Sequence, residues 1–303
     1  MKVTLVHNPD AGMGIVTADH LLETIADAGY TARYQSSKDP DWQSALDSPA
    51  DIIAVAGGDG IVGKVAKRCV GRGTPIAVLP LGTANNIART LGLTDTPLDH
   101  LVQQWHAAPH KKVDMACATG PWGSFYFIEG MGVGIFTEIM SALDARGNVD
   151  LAHLSAGERI ASVQDVIRNH LSRYRPFTMK VFLDGRDLSG DFILMEALNI
   201  QSVGPNLCLA PDANPADGLL DLALFYEGQR DDLIDWLIET GKSNSPPTPP
   251  SIIPRGRRLE LQLQGHRVHI DDEVWSPPNP TSLPIEVTAS INGDSLAFLG
   301  RNG

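Results

Sequence analysis

Long hydrophobic runs are missing from this sequence. No uncharged apolar stretch approaches the ~18 residues that a membrane-spanning helix needs. Cysteine is scarce: Cys69, Cys117 and Cys208 are isolated and odd in number. That usage excludes a disulfide framework and zinc-type spacing, and it points to a reducing, cytoplasmic compartment. Positive charge is in deficit, with 24 Lys and Arg against 36 Asp and Glu and a net charge of −12. Such a surface repels a polyanion, so no nucleic-acid partner is expected. The one local basic cluster, Arg255, Arg257 and Arg258, reads as a solvated strand start. The opening MKVTLVHNPDAG turns polar too soon for a signal peptide. The GxxxxGK[ST] phosphate loop and internal repeats are also absent.

What remains is an ordinary globular composition, 43% apolar and 20% charged over 303 residues. That length suits one large or two medium domains. KVTLVH, YTARYQSS, DIIAVAGG and PIAVLPLG read as strands, and IVTADHLLETIADAGY, IVGKVAKRCVGRG and NNIARTLGL as helices between or after them. Alternating strands and helices through about residue 115 predict a parallel α/β sheet. Ligands of such sheets bind beyond the carboxyl ends of the strands. From 116 to 288 the texture changes to an antiparallel β-rich domain with helical insertions. It includes a tight turn at Asp184–Gly185, a turn at Gly265 and a helical stretch from about 141 to 174. The tail 289–303 is expected to return to the first domain.

Three turns at predicted strand ends carry unusual chemistry. In GGDG, Gly57, Gly58 and Gly60 leave backbone N–H groups open at a helix start, a natural phosphate cradle. Asp59 within it implies a nearby cation, hydrogen bonds to backbone or ribose, or simply a capped turn. In PLGTANNIAR, residues 80–89, Thr83 offers a hydroxyl, and Asn85 or Asn86 can cap a helix or bind a ribose or base. NPDAG places Asn8 at the end of the first strand. All three turns are expected on one rim of one sheet.

These motifs, with MGVG at 131–134, NIQSVGPNLCLAPDANPADGLLDL at 199–222 and IDDE at 270–273, resemble the diacylglycerol kinase catalytic family, which includes soluble bacterial lipid kinases and sphingosine kinases. The likeness runs through nearly the whole chain in order. It implies a nucleotide-binding α/β domain of NAD-kinase/diacylglycerol-kinase type, a β-rich lipid-substrate domain, and a cleft between them. It implies ATP and Mg²⁺ as cofactors. The lipid acceptor would be presented at a membrane surface by a cytoplasmic or peripheral enzyme, and a homodimer stays open. Carried over by position, the nucleotide site comprises Asn8, Ser37, Gly57, Gly58, Asp59, Gly60, Ile61, Val62, Gly63, Thr83 and Asn85. Asp217, with the carbonyls of Asn214 and Leu219, would hold a structural Mg²⁺. Glu273 takes the place of the general base, with Asp271 beside it on one side of a strand, and Asp114 matches a supporting aspartate. Ile61, Asn86 and Asp272 depart from the family's Thr, Asp and Gly. A degenerate member that binds nucleotide or lipid with little catalysis therefore stands as a second reading, and a soluble-substrate kinase of the NAD kinase type, which shares the GGDG turn, as a third.

Overall fold

The apolar runs at the N-terminus form strands buried on both faces, as a parallel sheet requires. The computed structural model describes residues 1–146, 154–241, 247–278 and 283–301. The chain divides into two compact units, residues 1–115 with 294–303, and residues 116–293.

In the first unit, β1 (Lys2–His7), α1 (Ala18–Asp27), β2 (Thr31–Ser36), β3 (Ile52–Gly57), α2 (Asp59–Cys69), β4 (Ile76–Pro80), α3 (Asn86–Thr90) and α4 (Leu98–Gln104) follow in order. The parallel strands lie in the order β2–β1–β3–β4. Chain direction across the sheet therefore reverses between β1 and β3, the place where such sheets bind ligands. Register brings His7 beside Ser36 and Ala56, and Gly57 beside Pro80, so all four strands end on one rim. The returning tail adds Phe298 beside Ile76 on β4. Helix α1 starts three residues later than the apolar spacing suggests, because the Thr17 hydroxyl caps it by accepting the His20 N–H at 3.2 Å. Two short elements were not legible in the sequence: a 3₁₀ turn at Trp42–Asp47 and α4, each burying only two or three side chains.

The strand β5 (His110–Gly120) leads into the second unit. There follow β6 (Gly123–Phe127), β7 (Gly130–Gly134), α5 (Ile135–Arg146), α6 (Ala156–Leu171), β8 (Phe177–Leu183), β9 (Arg186–Asp187) and β10 (Gly190–Leu198). Then come β11 (Ser202–Val203), β12 (Leu207–Cys208), β13 (Leu220–Tyr226), α7 (Arg230–Thr240), β14 (Arg255–Gly256), β15 (Arg258–Leu263), β16 (Val268–Ile270), β17 (Glu273–Trp275) and β18 (Ile285–Leu299). Residues 147–153 of the expected helical stretch lie outside the described residues, as do 242–246.

The second unit's pairings are antiparallel, in the order β17–β16–β7–β10–β8–β15, with β13 along the other edge of β10. Alternation on β8 and β15 sends Phe177, Met179, Val181 and Leu183, with Leu259, Leu261 and Leu263, into one core. Strand β10 does not alternate, because its other face packs Ile193, Leu194 and Leu198 into a second core with α5, α6 and α7. Asp184 and Gly185 both have positive φ, 50° and 81°, and close the β8–β9 hairpin as expected for Asp-Gly. The expected turn at Gly265 is real, with φ 75°, but it closes no hairpin. Strand β15 pairs with β8 and β18, whereas β16 pairs with β7 and β17. The hairpin lies farther on, at Asp271–Asp272.

Candidate functional site

The rim of the first unit is built by backbone contact. A Cβ on Gly82 would lie 2.3 Å from the Gly58 Cα, and one on Gly58 would lie 3.0 Å from the Gly82 Cα. The two turns therefore touch main chain to main chain. None of Gly57, Gly58, Gly60 and Gly82 has positive φ; close approach, not left-handed backbone, is what excludes side chains here. The Leu81 N–H donates to the Gly57 carbonyl at 3.0 Å and ties the turns together. Asn85, with φ 54°, closes its own turn: its Oδ1 accepts the Gly82 N–H at 2.9 Å and its Nδ2 donates to the Gly82 carbonyl at 2.8 Å. Asn85 is a clasp with both side-chain polar atoms engaged by Gly82.

Asp59 is the first residue of α2, and Gly58 takes the capping position. Its carboxylate crosses to α3 and accepts the N–H groups of Asn86 at 3.0 Å and Ile87 at 2.9 Å. Of the roles left open for Asp59, the structure shows the backbone one: it caps the neighbouring helix. Burial pushes its carboxyl up from the usual carboxylate range, against the pull of the Ile87 and Asn86 N–H groups. The α3 start therefore already holds an anion. The open donors belong to α2, whose first N–H groups have no acceptor within the helix. The hydroxyls of Thr83 and Ser37 make no hydrogen bond to any described residue. Asn8 holds the neighbouring strand end, its N–H donating to the Ala56 carbonyl at 2.9 Å. Ile61, Val62 and Gly63 are buried, so any contribution from them is by main chain. The Ile61 Cγ2 fills the space beside Gly57, 2.3 Å from where a Cβ would stand. Asp114 is buried on β5 and pairs with Lys112 at 2.5 Å.

The second unit carries a different arrangement. Asp271 and Glu273 do not share one side of a strand. Asp271 occupies the hairpin turn with φ 50°, a conformation aspartate tolerates. Its carboxylate accepts the N–H groups of Ile128 at 3.2 Å, Glu129 at 2.9 Å and Gly130 at 3.4 Å, while its own N–H donates to the Gly130 carbonyl at 2.8 Å. Asn199 grips the same segment from its carbonyls: its N–H donates to Glu129 and its Nδ2 to Ile128. Asp271 is thus a buried anchor whose carboxylate acceptors are filled by main-chain N–H groups. Glu273 opens β17 and is exposed, and its carboxylate makes no hydrogen bond or ion pair with a described residue.

The family model for the diacylglycerol kinase catalytic domain matches residues 2–118, and that for the YegS C-terminal NAD kinase beta sandwich-like domain matches residues 137–289. The chain belongs to the diacylglycerol kinase catalytic-domain family. It is 25% identical over 306 residues to a diacylglycerol kinase of Mycobacterium tuberculosis, covering 95% of this chain and 92% of that protein. A diacylglycerol kinase crystal structure from Bacillus anthracis shares the fold, with a TM-score of 0.68 and 19% identity over 99% of this chain and 97% of that one. Yeast NADH kinase shares it more distantly, with a TM-score of 0.52 and 8% identity over 99% of this chain and 83% of that one.

The metal turn expected of a diacylglycerol kinase family member is the place where the residues do not fit. Asn214, Asp217 and Leu219 do form one turn, in which Asp217 Oδ1 accepts the Leu219 N–H at 3.0 Å. Asp217 Oδ2, however, is held by the Arg255 guanidinium, whose Nε also lies 3.0 Å from Asp221 Oδ1. Asp221 is buried directly opposite Arg255 on the β13–β14 ladder, and burial pushes its carboxyl up to about 6. One oxygen of Asp217 is thereby already paired with a side-chain cation. Arg255, read from sequence as a solvated strand start, is this turn's counter-ion. Sequence reading also passed over Glu196 and Asn199. The available signal for Glu196 was a lone carboxylate inside the apolar run FILMEAL.

Proposed function

We propose that the chain is a lipid kinase that transfers the γ-phosphate of ATP, taken as its magnesium complex, to a hydroxyl of a lipid such as diacylglycerol. The observation that carries the nucleotide half is the Gly58–Gly82 main-chain contact, which strips side chains from the start of α2. Amides fixed there neutralise phosphate charge without reorganising during transfer. Thr83 and Ser37 add hydroxyl donors, and Asn8 holds the strand end between them. The acceptor half rests on Glu273, a free carboxylate on an anchored hairpin. The lipid O–H bond breaks and its proton passes to Glu273; the lipid oxygen bonds to the γ-phosphorus, and the bond to the bridging oxygen breaks to release ADP. No helix among the described residues is long and apolar enough to cross a membrane, and peripheral contact with the lipid surface is part of the proposal.

The test is radiolabelled ATP with mixed micelles of diacylglycerol, a sphingosine-like base or phosphatidylglycerol, and NAD in a separate arm. Labelled lipid is expected, and Glu273→Gln should lower kcat by about 10²- to 10⁴-fold with ATP affinity unchanged. Labelled NADP without labelled lipid would move the protein to the NAD kinase type. ATP binding without transfer would identify the weakly catalytic binder that Ile61 and Asn86 suggest.

A further inference from the structure

One row of the second unit's sheet contains a buried histidine–carboxylate contact that the reaction above does not use. Register sets Glu196 on β10 opposite Gly132 on β7, and Gly132 opposite His269 on β16. The Glu196 side chain lies over Gly132, where a Cβ would come within 2.3 Å of its carboxylate, and reaches His269. His269 Nε2 is 3.0 Å from both Glu196 oxygens, and Nδ1 is 3.1 Å from the Asp271 carbonyl. Glu196 is 0% exposed and His269 4%.

A backbone carbonyl only accepts, so Nδ1 must carry a proton. Against an ionised Glu196, which likewise only accepts, Nε2 carries one as well. We propose that His269 is a buried imidazolium and the positioning residue of the site, with Glu196 as its counter-ion: together they fix the main chain of Asp271 and hence the direction of Glu273. This rests on the reading of Glu273 as the base. Asp271 is then held at every polar atom: its carbonyl by His269, its N–H by Gly130, and its carboxylate by the amides of 128–130. Glu273 is two residues away, where the hairpin closes with Ile270 opposite Glu273. Burial pulls the His269 pKa down, but the charge and hydrogen bond of Glu196, with the Asp271 carbonyl and carboxylate, outweigh it and leave it raised. Among the described residues, Glu196 and Asp271 are the charged groups acting on the ring.

The experiment uses the full-length ¹⁵N-labelled protein. At neutral pH the ring spectrum of His269 should show both nitrogens protonated, and the backbone signals of Asp271 to Glu273 should move when the ring titrates at alkaline pH. In Glu196→Gln the titration should shift to lower pH. kcat should fall about 10- to 100-fold, with the alkaline limb of its pH profile shifted the same way and KM for ATP unchanged, as expected for a misplaced group. A singly protonated ring in the wild type, backbone signals indifferent to the titration, or an unchanged kcat in Glu196→Gln would each overturn the proposal. If Glu196→Gln does not fold, the wild-type spectra decide alone. If the wild type transfers phosphate to no lipid, the kinase reading fails, while the spectra still decide whether His269 fixes the turn.

Discussion

The rim of the N-terminal sheet and the β16–β17 hairpin handle charge by opposite means. At the rim, the chain removes side chains: Gly58 and Gly82 meet main chain to main chain, and one buried carboxylate, Asp59, is spent on a neighbouring helix. At the hairpin, the chain buries side chains, with Glu196, His269, Asp271 and Asn199 packed around one turn. An anion seat needs bare amides, which only contact-forced glycine can leave exposed. In the proposed reaction Glu273 needs a fixed direction but free oxygens; the buried groups hold the turn before it, and Glu273 itself is exposed.

The comparison can be broken from either side. The largest structural effect is expected for Gly82→Ala, whose Cβ meets the Gly58 backbone. It should cost about 1–3 kcal/mol in denaturant unfolding and weaken ATP binding, because two backbones must part. Unchanged affinity would show that the contact does not shape the seat. Next comes Asp59→Ala, which uncaps α3 and should cost about 1–2 kcal/mol by the same measurement. A loss of ATP affinity without a loss of stability would instead make Asp59 a ligand.

A smaller effect belongs to pH. The His269 pKa is raised on folding, so its stabilisation is fully present below the ordinary histidine value and is lost as pH rises through the higher folded value. The melting temperature should fall on the alkaline side of neutrality, and Glu196→Gln should shrink that fall. An identical slope in both proteins would remove the ion pair from the account. The smallest effect is expected from a chelator. With Arg255 on Asp217 and Asp221, removing Mg²⁺ should leave the melting temperature of the nucleotide-free protein unchanged, whereas Arg255→Ala should lower it. A chelator-induced drop would restore a structural cation to that turn.

Much of this was legible in sequence where the signal is local. Glycines after an apolar strand, the Asp184–Gly185 hairpin and the change of texture near residue 116 are short-range patterns. The misses are long-range. The partners of Asp271 lie more than 140 residues away, at 128–130, and nothing near IDDE announces them. Arg255 looked solvated because its partners, Asp217 and Asp221, lie on another strand and the turn before it.

By itself the sequence determined the alternation of strands and helices in the first unit and its glycine-rich turns, because each depends on residues close together in the chain; the candidate base came from the resemblance to the family. Tertiary structure alone decided which carboxylates are free. Asp59, Asp217 and Asp271 are consumed by amides or a guanidinium brought from elsewhere, and Glu273 is left exposed. A carboxylate's availability depends on what folding places within 3 Å or so of its oxygens, the reach of a hydrogen bond.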